Sequence, residues 1–296
     1  MSTHVLTLVA HQSLYKGEVE RVTDSLKGLD ISIGEIEWLA ADKACDIYFE
    51  RGQEGEVERA AEQALQGAKV DCFAQVAEGR RKSLLLADMD STIIAEESLD
   101  ELAGFLGLKE KIAAITARAM AGELDFEAAV TERVGLLEGL AESAILEAVD
   151  EMTINPGAKE LVATMKANGA ECYLVSGGFE HFTGAVAAQL GFDGHQGNRL
   201  EIADGKMTGR ISGEIRNQEA KLVTLKEKAL ALGIDLAATM TVGDGANDVA
   251  MLQAAGAGVA YHAKPVAAAA ARFRVQHTDL SSLLFIQGYK AVDFAS

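Results

Sequence analysis

The sequence predicts an α/β fold: a three-layer, Rossmann-like parallel sheet with a helical cap insert, preceded by a small α+β unit. Three observations predict it. The short run at 84–87 is apolar throughout, and those at 171–175 and 239–242 are largely so apart from Glu171, Thr239 and Thr241, as strands buried between two helical layers are. Turns and stretches of helical spacing separate these runs, the alternation that builds right-handed parallel sheets. Residues 1–80 instead alternate in the order βαββαβ, with strands of period two, which bury mainly one face.

In the first 80 residues, 4–10 read as a strand, and 15–28 as a helix with Val19, Val22 and Leu26 on one stripe. Ile31 and Ile33 begin an alternation that slips one place to Ile36 and Trp38 across Gly34. A glycine at a register slip predicts a bulge. Cys45, Ile47 and Phe49 mark a third strand, and Val57, Ala61, Ala64 and Leu65 a helix over 54–66. Val70, Cys72, Ala74 and Val76 mark a fourth strand. The order is that of a ferredoxin-like sandwich, with helices on one face of an antiparallel sheet. The stretch Glu78-Gly79-Arg80-Arg81 closes this unit, so the expected domains are 1–80 and 81–296.

After the strand at 84–87 no strand is expected until 171. Leu99, Leu102, Ala103 and Leu106, then Ile112 and Ile115, then Val130, Val134 and Leu137 fall at helical spacing. That makes a helical cap at about 97–155, too long for a plain loop. Asn155-Pro156-Gly157 ends it. Helices are expected over 157–168, 179–190 and 219–232, a β-ribbon within 192–216, and a helix from Val249 to Ala254.

Composition narrows the function. Length 296, 49% apolar and 24% charged residues fit a soluble protein of two domains. A net charge of −18, with no basic run longer than Arg80-Arg81-Lys82, excludes a nucleic-acid partner. No apolar run reaches about 18 residues, and the first residues lack a basic segment, so neither membrane span nor signal is expected. Cys45, Cys72 and Cys172 show no paired spacing, which fits a reducing, cytoplasmic compartment. The six histidines form no ligand set, and His262 is assigned to the surface.

Three strand ends carry the chemistry. Period two aims Asp88 and Asp90 to the same side at a carboxyl edge, where open α/β sheets bind ligands. By themselves these residues also suit an ordinary turn. The second end offers Ser176 and the N–H groups of Gly177 and Gly178 at an expected helix start, an anion site. The third offers Asp244 and Asp248 with Asn247 between them. Lys221 opens a helix, where a cation is unfavourable unless it holds an anion. Carboxylates, an anion cradle and a lysine together suggest Mg²⁺-assisted phosphoryl transfer.

Asp88-Met89-Asp90-Ser91-Thr92, Ser176-Gly177-Gly178, Lys221 and Gly243-Asp244-Gly245-Ala246-Asn247-Asp248 occur in this order. They resemble the four motifs of the haloacid dehalogenase superfamily, and within it the phosphoserine phosphatases. Met89 stands where the commoner spelling has Phe. The resemblance implies that Asp88 is the nucleophile, forming an aspartyl-phosphate, and that Asp90 is the general acid and base. It implies Mg²⁺ on Asp88, the Asp90 carbonyl and Asp244, with Asp248 supporting from behind. Ser176, Gly177, Gly178, Lys221 and Asn247 would bind the phosphoryl group. Glu97 matches the residue that takes the substrate ammonium, Arg133 the one that takes its carboxylate, and Met120 and Phe126 the apolar residues that close over it. The implied reaction is hydrolysis of O-phosphoserine to serine and phosphate, the last step of serine biosynthesis. The alternatives are another small phosphoester, phosphothreonine or phosphoethanolamine, or a non-catalytic amino-acid sensor. The front unit resembles ACT domains in topology. Where those often carry Asp-x-x-Gly this chain has Ala10-His11-Gln12-Ser13, which favours a structural or homodimerising role over ligand sensing.

Overall fold

The computed structural model describes residues 4–120, 123–216 and 218–296. The front unit runs β1 (His4–Ala10), α1 (Lys16–Gly28), β2 (Ser32–Ala40), β3 (Ala44–Glu50), α2 (Glu54–Ala64) and β4 (Val70–Val76). All its strand pairs are antiparallel, in the order β2-β3-β1-β4. Leu6, Leu8, Cys45 and Ile47 share one sheet face and pack against Val19, Val22, Leu26, Val57 and Ala61 of the two helices. The bulge expected at Gly34 is present, since pairing with β3 shifts between Ile33 and Ile36.

The opposite face of this sheet is not solvated. Val9, Ala44 and Phe73 belong to the main core of the rest of the chain, and Phe73 meets Phe273 edge-on at 6.0 Å. Burial on both faces explains why β1 is almost entirely apolar and buried. Polar contacts ring this junction. Arg80 pairs with the fully buried Asp46 at 2.6 Å, and Gln75 Nε2 donates to the Ile286 carbonyl at 2.6 Å.

The larger unit begins with β5 (Leu84–Ala87) and continues through four cap helices: α3 (Ser98–Phe105), α4 (Lys109–Met120), α5 (Phe126–Gly135) and α6 (Ser143–Glu151). Then come α7 (Ala158–Ala167), β6 (Glu171–Phe179), α8 (Glu180–Leu190), β7 (Gly194–Ala203), β8 (Lys206–Ser212) and α9 (Gln218–Leu232). The chain ends with β9 (Thr239–Gly243), α10 (Val249–Ala254), β10 (Ala257–Tyr261), α11 (Pro265–Ala270), β11 (Phe273–Val275) and α12 (Ser282–Ile286). Seven strands form one sheet in the order β11-β10-β9-β5-β6-β7-β8. Every pair is parallel except the β7–β8 ribbon. Leu84 and Leu86 face Leu225, Ala229 and Met251, while Leu85 and Ala87 face the core that includes Leu161, Phe182 and Leu284. Those are the three layers. No described helix is long and apolar enough to cross a membrane.

Two features differ from the sequence reading. β6 continues through Ser176-Gly177-Gly178 to Phe179, and α8 starts only at Glu180. The extension is irregular, its register with β7 shifting between Val175 and Phe179. The Asn198 side chain holds it by donating to the Gly177 carbonyl at 2.7 Å. β10 and β11 were not expected. β10 reads Ala-Gly-Val-Ala-Tyr, whose small residues give little strand signal, and β11 has only three residues.

The cap is pinned where it joins the sheet unit. Ile94 bridges Ile154, and Asn155 Nδ2 donates to the carbonyls of Thr92 at 2.8 Å and Ile94 at 3.1 Å. Gly157, with φ 82°, follows after Pro156. Its backbone is left-handed and a Cβ there would strike Ser281, so only glycine suits both demands. The β7–β8 ribbon reaches the far end of the cap, where Gly139 donates to the Met207 carbonyl at 2.9 Å.

Candidate active site

β5 ends in a chain reversal with Ser91 at φ 54°, which brings Asp88, Asp90 and Glu97 to the carboxyl edge of the sheet. Neighbouring strand ends add the rest. Asp88, Asp90, Glu97, Arg133, Ser176, Gly177, Gly178, Asp244 and Asn247 all line one cavity of about 190 Å³. Lys221 and Asp248 stand behind that wall, 2% and 0% exposed. A larger cavity of about 480 Å³ lies at the junction of the two units, beside Lys69, Arg272 and Arg274, away from this edge.

Lys221 is the electrostatic centre. Its Nζ lies 2.6 Å from both Asp88 Oδ1 and Asp248 Oδ1. Burial alone would push the ammonium down, yet the two carboxylates hold it above its ordinary value. Burial and then the Asp248 charge push Asp88 well up, with Lys221 opposing. Asp248 is bonded through both oxygens, its Oδ2 accepting the N–H groups of Asp244 at 3.2 Å and Gly245 at 3.0 Å. A Cβ on Gly243 would fall on that carboxylate, so the glycine makes room for it.

Asp90 is held in a different way. Its Oδ1 accepts from the Ser98 N–H at 2.8 Å, and its Oδ2 from Ser176 Oγ at 2.8 Å. Ser176 Oγ in turn accepts from the Gly178 N–H at 2.8 Å. The Ser-Gly-Gly segment therefore lies at an irregular strand end, not at a helix N-terminus as the sequence suggested. Burial, then the Asp90 charge, raise Glu97, and Ser91 Oγ donates to its Oε1 at 2.9 Å. Burial lowers Arg133, opposed by Asp100 and Glu97. Its Nε donates to the Ala129 carbonyl at 3.2 Å. The side chains of Met120 and Phe126 lie outside the described residues.

The carboxylate oxygens of Asp88, Asp244 and Asp248 lie within 4.8 Å of one another. Lys221 pairs with Asp88 and Asp248, and Lys264 with Asp244, so three carboxylates share two lysines, a surplus that a divalent cation would offset. Hard oxygen donors in this number suit Mg²⁺. Asp248 is the most heavily bonded of the three, with Lys221 on Oδ1 and two backbone N–H groups on Oδ2, which leaves Asp88 and Asp244 as the more open carboxylates.

Lys264 is the residue that sequence reading missed. Its Nζ lies 3.1 Å from Asp244 Oδ2 and its N–H donates to the Asp244 carbonyl at 2.9 Å. It follows β10, the strand that went unrecognised, and precedes Pro265, the first residue of α11. A basic residue before a helix-starting Pro, just past an apolar run, was the available signal. His262 is exposed as expected, with φ 42° and Nε2 2.8 Å from the Thr278 carbonyl.

A parallel sheet with a helical insert after β5, and acids from two strands meeting a buried lysine, defines a haloacid dehalogenase-like hydrolase. The model of that family matches residues 85–253. A phosphoserine phosphatase of Streptomyces coelicolor is 42% identical over 229 residues, 77% of this chain; the chain spans only 56% of that protein's length. The crystal structure of a probable phosphoserine phosphatase from Vibrio cholerae, in unliganded form, superposes with TM-score 0.81 at 31% identity, covering 99% of this chain and 88% of that one. A phospho-aspartyl intermediate analogue of a phosphoserine phosphatase superposes with TM-score 0.65 at 38% identity, covering 69% of this chain and 98% of that one. The chain belongs to the phosphoserine phosphatase family.

Proposed function

We propose that the chain hydrolyses O-phosphoserine to serine and phosphate through an aspartyl-phosphate on Asp88. The observation that carries this reading is the 190 Å³ cavity whose lining joins Asp88 and Asp90 with Glu97 and Arg133. A small phosphate monoester with an ammonium and a carboxylate matches those four groups. Mg²⁺ on Asp88, the Asp90 carbonyl and Asp244 would supply charge that offsets the phosphoryl oxygens.

Asp88 attacks phosphorus while Asp90 gives its proton to the departing seryl oxygen. Asp90 then takes a proton from water, whose oxygen bonds phosphorus as the bond to Asp88 breaks. Lys221 keeps the Asp88 carboxylate oriented and adds positive charge beside it. Ser176, Gly177, Gly178 and Asn247 border the phosphoryl position. Glu97 takes the substrate ammonium, which favours its ionised form against burial, and Arg133 takes the carboxylate in a charge-assisted bond. The cap at about 97–155 acts as a lid that excludes bulk water. We place the domain boundary near residue 80 and assign the front unit a structural role. The reading places the enzyme in the cytoplasm, in serine biosynthesis.

A panel of small phosphoesters, assayed with and without Mg²⁺, tests the proposal. Phosphoserine should be turned over fastest, only with the metal, and Asp88→Asn should lower kcat by at least about 10³-fold. Faster turnover of phosphoethanolamine, which lacks a carboxylate, would exclude the Arg133 assignment.

A further inference from the structure

Ser98 is 1% exposed, and its Oγ has no hydrogen-bond partner among the described residues. A buried hydroxyl left unpaired is costly. Arg80 Nη1, Thr92 Oγ1 and His181 Nδ1 share that condition, but of the four residues only Ser98 lines the active-site cavity. Its position is well defined by its neighbours. A Cβ built on Gly178 would lie 2.8 Å from Ser98 Oγ, 2.7 Å from Asp90 Oδ2 and 3.1 Å from Ser176 Oγ. The three oxygens thus converge on one small region, and glycine at 178 keeps it open. The backbone N–H of Ser98 is already given to Asp90 Oδ1 at 2.8 Å, so the hydroxyl is the part with no assigned task.

We infer that Ser98 is a further catalytic residue: its hydroxyl hydrogen-bonds the oxygen on which Asp90 acts. The inference rests on the proposed aspartyl-phosphate reaction. In a double displacement the seryl oxygen leaves from the position opposite Asp88, and the hydrolytic water attacks from that same position. One site beside Asp90 therefore serves both steps. In the first, the P–O(seryl) bond breaks, Asp90 protonates the oxygen, and the Ser98 hydroxyl donates to the negative charge that develops there. In the second, water gives its proton to Asp90 while its oxygen bonds phosphorus, and Ser98 Oγ accepts the other water hydrogen. A hydroxyl can do both, being donor and acceptor. The substrate or water supplies the partner that the protein does not.

Ser98→Ala separates this role from a structural one. It keeps the backbone bond to Asp90 and removes an unsatisfied hydroxyl. The variant should melt higher, by roughly 2–4 °C, while kcat for phosphoserine falls about 10–100-fold and KM stays within about threefold. In rapid-quench experiments with labelled phosphoserine, both formation and hydrolysis of the phosphoenzyme should slow. A kcat within about twofold of the parent, or a loss of kcat accompanied by a lower Tm, would overturn the inference while leaving the phosphoserine reading intact. A parent protein that turns over no phosphoester, or that keeps its activity in Asp88→Asn, would overturn that reading and this inference with it.

Discussion

Arg133 is half-buried in the cap, with Asp100 and Glu97 as its nearest acidic influences, and on the proposed reading it gains a carboxylate when substrate binds. Losing a charge-assisted hydrogen bond costs about 2–3 kcal/mol, so Arg133→Ala should raise KM for phosphoserine about 30–150-fold. Because the contact is the same in ground and transition states, kcat should change little; steady-state kinetics over a wide substrate range check both numbers. At this scale, the sequence revealed acids better than their partners. Asp88, Asp90, Asp244 and Asp248 stand at ends of apolar runs and declare themselves. Lys264 offered only its place before Pro265, and Ser98 offered nothing, since the contacts that single them out, with Asp244 and with the Asp90–Gly178 region, are made by the fold. Asp248 shows the same limit, because only the structure reveals that both of its oxygens are taken.

Among the elements, β5, β6 and β9 were legible as strands buried on both faces, whereas the equally buried β10 was not. The exceptions are informative. The β6 extension through Ser176-Gly177-Gly178 exists because β7 holds it laterally, through Asn198, and no local pattern encodes that support. It is also where backbone space matters most. In Gly178→Ala the new methyl would press on Asp90 Oδ2 and Ser98 Oγ, both under 3 Å away. Overpacking of this kind costs about 1–3 kcal/mol, and displacing Asp90 should lower kcat at least about 100-fold; urea denaturation and kinetics on the same preparation measure the two effects. The strands also shelter thiols. Burial pushes Cys45 in β3 and Cys172 in β6 up to about 12, and Cys72 is raised as well by burial and Glu62. At pH 8 a thiol of that acidity is about 10⁻⁴ thiolate. A chromogenic disulfide reagent should therefore react with none of the three in the native protein within minutes, and with all three in concentrated urea. Rapid native labelling would show that these strands open.

For the whole molecule, the sequence divided the chain into two units but left their relation open, because the contacts that join them span some 200 residues of chain. The junction is built of polar clamps around an apolar centre. Asp71 of β4 receives the N–H groups of Gln276, His277 and Thr278 at 3.0–3.2 Å and the Thr278 hydroxyl at 2.6 Å. Arg272 spans back to Glu54 at 2.7 Å and Glu58 at 3.1 Å. With Phe73, Val9 and Ala44 inside the main core, the front unit cannot leave without exposing apolar surface and orphaning buried donors. The physical consequence is cooperative unfolding: calorimetry of the intact chain should show a single transition. Asp71→Ala removes the acceptor of three backbone N–H groups and of the Thr278 hydroxyl, which keeps Ser282 as its other partner, at a cost of about 1–3 kcal/mol. Its main effect should fall on the coupling, splitting the melt into two transitions, with the phosphatase unit retaining turnover after the front unit has melted. A variant that still melts once, at a Tm near the parent's, would mean that the apolar centre alone joins the units. The Asp71 clamp would then add nothing to their union.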